Sequence, residues 1–178
     1  MAAEQVPLDA EEEFRLFFYS WEPQVRRYLL WLEGDRSIIE DAAQETMISA
    51  HRHWLRVRQL EKPKAWLFKV AGQRLHDAYE ARLRHGITTA PQALPDRPAA
   101  HRDEYAARTD SLVLVEAVRK LPPQQAKAVT LYYFYDLKCA DIADIMELAT
   151  GTVKSHVHHA CKALGSLLGE DDEGEELR

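Results

Sequence analysis

A chain of 178 residues, 46% of them hydrophobic, can form one ordinary domain or two small ones with a real core. Seven glycines and few β-branched runs favour helices, no apolar run reaches the ~18 residues of a membrane span, and two cysteines do not make a disulfide framework. The net charge of −6 argues against a uniformly basic protein, but it is unevenly spread: −7 over residues 1–50, +6 over 51–86 and −5 over 87–178. A basic middle between acidic flanks suggests a local polyanion-binding face, with the other surfaces left for other partners.

The opening MAAEQVPLDAEEEF has no basic segment followed by an apolar one, so no secretory signal is expected and a reducing, cytoplasmic setting is the default. Asp9 and Glu12 have capping-box spacing ahead of Phe14, Leu16, Phe17 and Phe18. Pro23 is expected to open a new helical segment, with Val25, Tyr28, Leu29 and Leu32 as its stripe and Gly34 as its stop. Ser37 and Glu40 suggest a second capping box. The helix after it carries Ile39, Ala42, Ala43, Thr46, Met47, Ala50 and Trp54 near one face. Pro63 begins another helix, whose buried side is Trp66, Leu67, Val70, Ala71, Leu75 and Ala78 and which runs to about Leu83, before Gly86.

Residues 87–108, with three prolines and few large apolar side chains, read as a flexible linker. Helical pattern resumes with Leu112, Val115, Val118 and Leu121, breaks at Pro122 and Pro123, and returns with Ala126, Val129, Leu131, Tyr132 and Phe134. Two short helices follow, at about 139–147 and 150–168. The acidic run in 170–178 is expected to be a disordered tail. The expected fold is therefore all-α: a helical domain over 9–86, the linker, and a second helical domain over 109–169.

Residues 139–168 have the layout of a helix-turn-helix. Ile142, Ala143, Met146, Leu148, Val153 and Val157 are its core, and Thr150, Thr152, Lys154, Ser155, His156 and His159 face outward, where a recognition helix touches bases and phosphates. The histidines and Cys161 raise the question of a metal. His156 with His159, and His158 with Cys161, are i, i+3 pairs on different faces, and two such pairs do not assemble one four-ligand site. No metal or cofactor is expected. There is no nucleophile–base pair or phosphate loop, so no enzyme is expected either.

The run LPPQQAKAVTLYYFYDLKCADIADIM followed by GTVKSHVHHACKAL resembles the C-terminal domain of sigma factors of the extracytoplasmic-function (ECF) class. DRSIIEDAAQETMISAHRHW resembles that family's polymerase-binding helix, and KPKAWLFKVAGQRLHDAYEARLR its promoter-melting helix. The resemblance spans about residues 12–168. It implies a subunit that binds core RNA polymerase through Asp41, Gln44, Glu45 and Ile48, with Met47 nearby. The −10 element would be met by Arg56, Arg58, Lys62, Lys64, Lys69 and Gln73, the loop near residues 57–62 capturing an extruded base. The −35 element would be read as duplex by Thr150, Thr152, Lys154, Ser155, His156 and His159. Trp66 lies on the apolar stripe and is expected in the core rather than as a stacking platform. The class is often held inactive by an anti-sigma protein, which makes such a factor a candidate partner.

The chain departs from the family pattern where Glu147 takes the place of a common turn glycine, Ala149 of a capping serine and Lys138 of a Ser/Thr cap. A left-handed non-glycine residue costs ~1–2 kcal/mol and a lost cap ~1 kcal/mol, unless Thr150 takes over the capping. Gly72 and Gln73 stand for a frequent Arg-Asn pair. Weak or assisted −35 binding and an altered −10 preference are expected. Two other readings stay open: a sigma-like DNA-binding regulator, and a protein-interaction module, neither supporting initiation.

Overall fold

The computed structural model describes residues 8–84 and 102–169, and the side chains of 9–84 and 111–169. Eight helices lie among the described residues, in two compact units, residues 1–91 and 92–178. The proposed tail at 170–178, Gly86 and the linker as far as residue 101 lie outside the described residues.

The first unit holds α1 (Leu8–Leu32), α2 (Arg36–Arg52), the single turn α3 (Trp54–Val57) and α4 (Pro63–Arg84). α2 packs against both α1 and α4, and α1 also touches α4. Val25, Tyr28 and Leu29 of α1, Ile38, Ile39, Ala42, Ala43, Met47 and Ala50 of α2, and Leu67, Phe68, Val70 and Ala71 of α4 are buried. Tyr28 meets Phe68 edge-on at 5.1 Å between ring centroids. A second cluster gathers Ala10, Trp54 and Val57, with Phe14, Phe17, Leu55 and Trp66 packed around them. Trp66 is thus part of the packing, as its place on the apolar stripe predicts.

Three local expectations are corrected. Pro23 does not open a helix; α1 runs through it unbroken. A mid-helix proline costs ~3 kcal/mol through its missing N–H and its clash with the preceding turn. Here both halves of α1 are anchored, Phe14 and Phe17 on Trp54 before the proline and Val25, Tyr28 and Leu29 in the core after it. Asp9 lies in the first turn of α1, one residue inside its start, rather than ahead of it. Ser37 likewise lies inside α2, whose N-cap is Asp35.

The Asp35 carboxylate accepts from Ser37 N at 2.9 Å and Ser37 Oγ at 2.7 Å, and it pairs with Arg82 of α4 at 2.9 Å. The Ser37 hydroxyl, the backbone N–H groups of Ser37 and Ile38, and Arg82 together hold its carboxyl below the ordinary aspartate range. The carboxylate of Glu33 accepts from Gly34 N and Asp35 N at 2.7 and 2.8 Å, so side-chain acceptors carry this sharp corner. Arg26 of α1 bonds Glu22 one turn before it and Glu40 of α2, and the second bond ties the two helices.

The second unit holds α5 (Arg102–Arg119), α6 (Pro123–Tyr133), α7 (Cys139–Met146) and α8 (Thr150–Leu168). α5 begins inside the stretch expected to be linker; Arg102 to Arg108 are its first two turns. Pro123 takes the first helical position of α6, where a missing N–H loses no bond. α8 packs against α5, α6 and α7. Val115, Val118, Leu121, Ala126, Val129, Leu131, Ile142, Ala143, Ile145, Val153, Val157 and Ala160 are buried. Leu112 and Phe134, counted with the apolar stripes, are exposed. Met146 and Leu148 are half-buried, and Ile145 takes the buried place at the end of α7.

The turn between α7 and α8 is as strained as the sequence predicts. Glu147 sits at φ 57°, ψ 43°, and Leu148 N bonds back to Ala143 O at 3.0 Å, closing the end of α7. Ala149 is the extended N-cap of α8 and has no side-chain acceptor to offer. Thr150 does not replace it: the bonds from Thr152 N and Val153 N run to Ala149 O. Lys138 caps α7 equally bare.

Two stability predictions follow from these ends. The folded pKa of Asp35 is depressed, so its contribution is present above the unfolded value of about 4 and is lost as pH falls through the folded value. Asp35→Ala is expected to cost about 1 kcal/mol in urea unfolding at pH 7, and the difference from wild type should shrink at pH 3. Glu147→Gly and Ala149→Ser should each stabilise the second unit by about 1 kcal/mol, read as a rise of ~4–8 °C in melting temperature for a unit of this size.

Candidate nucleic-acid interface

α2 presents Asp41, Gln44, Glu45 and Ile48 at i, i+3, i+4 and i+7, and all four are exposed. Between them Ala42, Ala43, Thr46 and Met47 point into the core, so Met47 supports this ridge from below and is not part of its surface. Thr46 is fully buried because its hydroxyl donates to Ala42 O at 2.6 Å. A groove of 350 Å³ runs along one side of the ridge, lined by Phe14, Phe18, Met47, Ile48 and His51. Another, of 750 Å³ and more polar, lies between α2 and α4 and includes Asp41, Glu45, Arg74, Asp77 and Arg82. Gln44 borders both. Two carboxylates, an amide and an isoleucine on one strip suit a partner helix that offers cations beside an apolar contact.

The basic segment is less free than its composition implies. Arg58 donates to Glu13 of α1 at 2.8 Å and is half-buried. Arg74 pairs with Asp77 at 2.8 Å, and Arg82 with Asp35. Lys64 lies 5.9 Å from the centroid of the Trp21 ring. Arg56 on α3 and Lys62 just before α4 are exposed, Lys69 is half-buried, and Gln73 is exposed one turn beyond it on the same face. Arg56, Lys62, Lys69 and Gln73 carry side chains suited to a nucleic-acid backbone, while Arg58 and Arg82 are each held by a carboxylate from another part of the fold.

On α8, Val153, Val157 and Ala160 are buried at i, i+4 and i+7, which turns Thr150, Thr152, Lys154, Ser155 and His159 to the surface; His156 is half-buried beside them. α8 carries no acidic residue. The bare start of the helix and the open space around Gly151 leave room for a phosphate near the first-turn N–H groups. The rings of His158 and His159 are 5.7 Å apart, and Cys161 Sγ lies 3.6 Å from the Tyr133 hydroxyl. Among the described residues no group of three or more His, Cys, Asp or Glu side chains could hold a metal ion. No helix among them is long and apolar enough to cross a membrane. Sequence reasoning missed Glu13, because a partner 45 positions from Arg58 leaves no local signal.

Comparison with known proteins places both units. Residues 17–85 match the family model for sigma-70 region 2, and residues 111–164 that for sigma-70 region 4. Over 147 residues the chain is 33% identical to the ECF RNA polymerase sigma factor SigL of Mycobacterium tuberculosis, covering 81% of this chain and 82% of that protein. It is 29% identical to the ECF RNA polymerase sigma factor SigM of Bacillus subtilis, over 84% of this chain and 92% of that one. Among solved structures, the sigma factor RpoE in complex with the anti-sigma factor NepR from Bartonella quintana matches with a TM-score of 0.76 at 23% identity, over 90% of this chain and 99% of that one, a likeness of fold. With both regions matched in order and a relative one-third identical over most of its length, the chain belongs to the ECF sigma factors of the sigma-70 family, the subunits that bind core RNA polymerase and direct it to promoters.

Proposed function

We propose that the three exposed faces divide the work of initiation. The ridge Asp41, Gln44, Glu45 and Ile48 docks on core polymerase. Arg56, Lys62, Lys64, Lys69 and Gln73, with the loop leading into α4, meet the −10 element and hold its separated strand. Thr150, Thr152, Lys154, Ser155, His156 and His159 meet the −35 element as duplex. The protein makes and breaks no covalent bond in this scheme, and it acts in the cytoplasm, where polymerase is. The observation that carries this reading is the two-sidedness of α8: a buried stripe of Val153, Val157 and Ala160 opposite a surface of small polar, cationic and imidazole side chains without a carboxylate. Some of these contacts reach only phosphate, which positions the helix without reading sequence.

The bare Ala149 cap and the strained Glu147 turn favour −35 contacts that are weak in the free protein and become effective on polymerase. An anti-sigma factor is a natural regulator. The matched RpoE structure is a complex with one, and the α2 ridge with its flanking grooves offers a surface on which such a protein would compete with polymerase.

Transcription by purified core polymerase on fragmented genomic DNA, with mapping of RNA 5′ ends, tests the whole reading. New starts that need the protein and share two spaced upstream elements are expected. Their absence, with a core active toward a control sigma factor, would favour a regulator that does not initiate. The combined change of Asp41, Gln44 and Glu45 to lysine should weaken core binding at least ~10-fold by like-charge contact, with melting temperature little changed. Lys154→Ala should lower the salt slope of promoter binding by ~0.9 if its ammonium meets a phosphate.

A further inference from the structure

Arg58 begins the loop that leads to α4, and its place is set by several contacts at once. Its N–H bonds to Trp54 O at 2.9 Å, Gln59 N to Arg56 O at 3.2 Å, and Leu60 N to Val57 O at 3.1 Å. On the far side Ala65 N and Trp66 N both bond to Lys62 O. The segment thus leaves Trp54 and Val57 and returns at Trp66, and all three belong to one cluster with Ala10, Phe14 and Phe17 of α1. Phe14 and Phe17 lie with ring centroids 5.4 and 5.0 Å from that of Trp54. The first turns of α1 are therefore the wall against which both ends of the loop rest. Glu13 adds a polar clasp to this wall: its Oε1 accepts from Arg58 Nη2 at 2.8 Å. The Arg58 side chain is only 26% exposed, whereas that of Glu13 is 47% exposed.

We propose that Glu13 is a positioning residue for promoter opening: its ion pair with Arg58 fixes the loop of residues 58–62 on α1 in the form that receives the extruded −10 base. This rests on the assignment of that loop to the −10 element. An ion pair this exposed adds little to global stability. Its effect falls on the loop, which must otherwise be ordered when the base arrives, at a cost to binding. Arg58 then acts through Glu13 and does not touch the DNA backbone. Its carboxylate partner lies on α1, a helix outside the basic run.

The experiment uses full-length protein with core polymerase on promoters mapped with the wild type, each also carrying single-base replacements in its −10 element. Opening rate, core affinity and melting temperature are measured for Glu13→Gln, Glu13→Arg, Arg58→Glu and the Glu13→Arg/Arg58→Glu pair. Glu13→Gln is expected to slow opening about two- to fivefold. It should also shrink the ratio between native and replaced −10 elements, with core affinity and melting temperature unchanged. A merely structural defect would lower both promoters alike and leave that ratio in place. Each charge reversal alone should be worse, and the reversed pair should return to within about twofold of wild type, because the clasp is restored with its ends exchanged.

Three outcomes overturn the proposal. One is a reversed pair as defective as Arg58→Glu alone, which makes Arg58 a direct DNA contact. Another is faster opening by Glu13→Gln with a salt slope larger by ~0.9, which makes Glu13 a mask over Arg58. The third is Glu13→Gln behaving as wild type in rate and in −10 ratio. A wild-type protein that starts no transcripts removes the underlying assignment, and is told apart because it needs no variant.

Discussion

α2 is held on two sides, by α1 and by α4, and this clamp constrains everything the first unit can display. Eight of its seventeen residues are buried, which leaves one narrow exposed strip along the helix. Asp41, Gln44, Glu45 and Ile48 occupy that strip, while the residues between them fill the two packing faces. A one-residue slip would drive Asp41 or Glu45 into the core, at a cost of several kcal/mol for an unpaired charge. Packing therefore selects the surface, and the chemistry proposed to meet polymerase is a by-product of a helix buried twice. The N-terminal end of the same helix is fixed by its Asp35 cap and by the bond from Arg26 of α1 to Glu40 in its second turn.

Charge in the neighbouring segment divides by the same logic. Residues 51–86 carry a formal excess of six positive charges, but Arg58, Arg74 and Arg82 are each paired with a carboxylate. Two of those carboxylates, Glu13 and Asp35, come from the acidic first fifty residues. The acidic flank, unfavourable to nucleic acid by its net charge, thus supplies partners that hold Arg58 and Arg82 in place. A contribution of this basic segment to binding a phosphate backbone would fall steeply with salt.

The local features were legible in the sequence and the long-range ones were not. The α7–α8 turn, with Glu147 in the left-handed region and Ala149 as a bare cap, follows from the length of the turn and the residues in it. So does the inward stripe of α8, which a 3.6-residue period sets. Pro23 misled because its local cost is outweighed by anchoring on both sides, a tertiary fact. Ser37 misled because a serine three residues before a glutamate is a sound capping pattern, while Asp35 two residues earlier is the better acceptor and has Arg82 behind it. Arg102–Arg108 looked like linker because few large apolar side chains mark it, yet propensity continues α5 through them. The ridge of α2 was marked by its resemblance to the family's polymerase-binding helix; the pairing of Arg58 with Glu13 was not legible, because nothing local relates the two residues.

The weak turn of the second unit takes on sense once both units act from one polymerase-bound chain. A strained residue and a missing cap together subtract ~2–3 kcal/mol from a domain of about 60 residues, a large share of what so small a core supplies. Binding to a partner that recognises only the folded form restores that stability by mass action. It also changes the affinity that DNA recognition needs. On the proposed division of work, a first unit docked and engaged at −10 makes the second unit's meeting with −35 an intramolecular event, at an effective concentration far above that of free protein in solution. Tight binding by the free helix-turn-helix would instead favour occupation of −35-like sequences without polymerase, where no transcript can start. On that proposal a helix with two lysines, three histidines and an uncapped start serves as the second contact of a tethered pair rather than as an independent DNA binder.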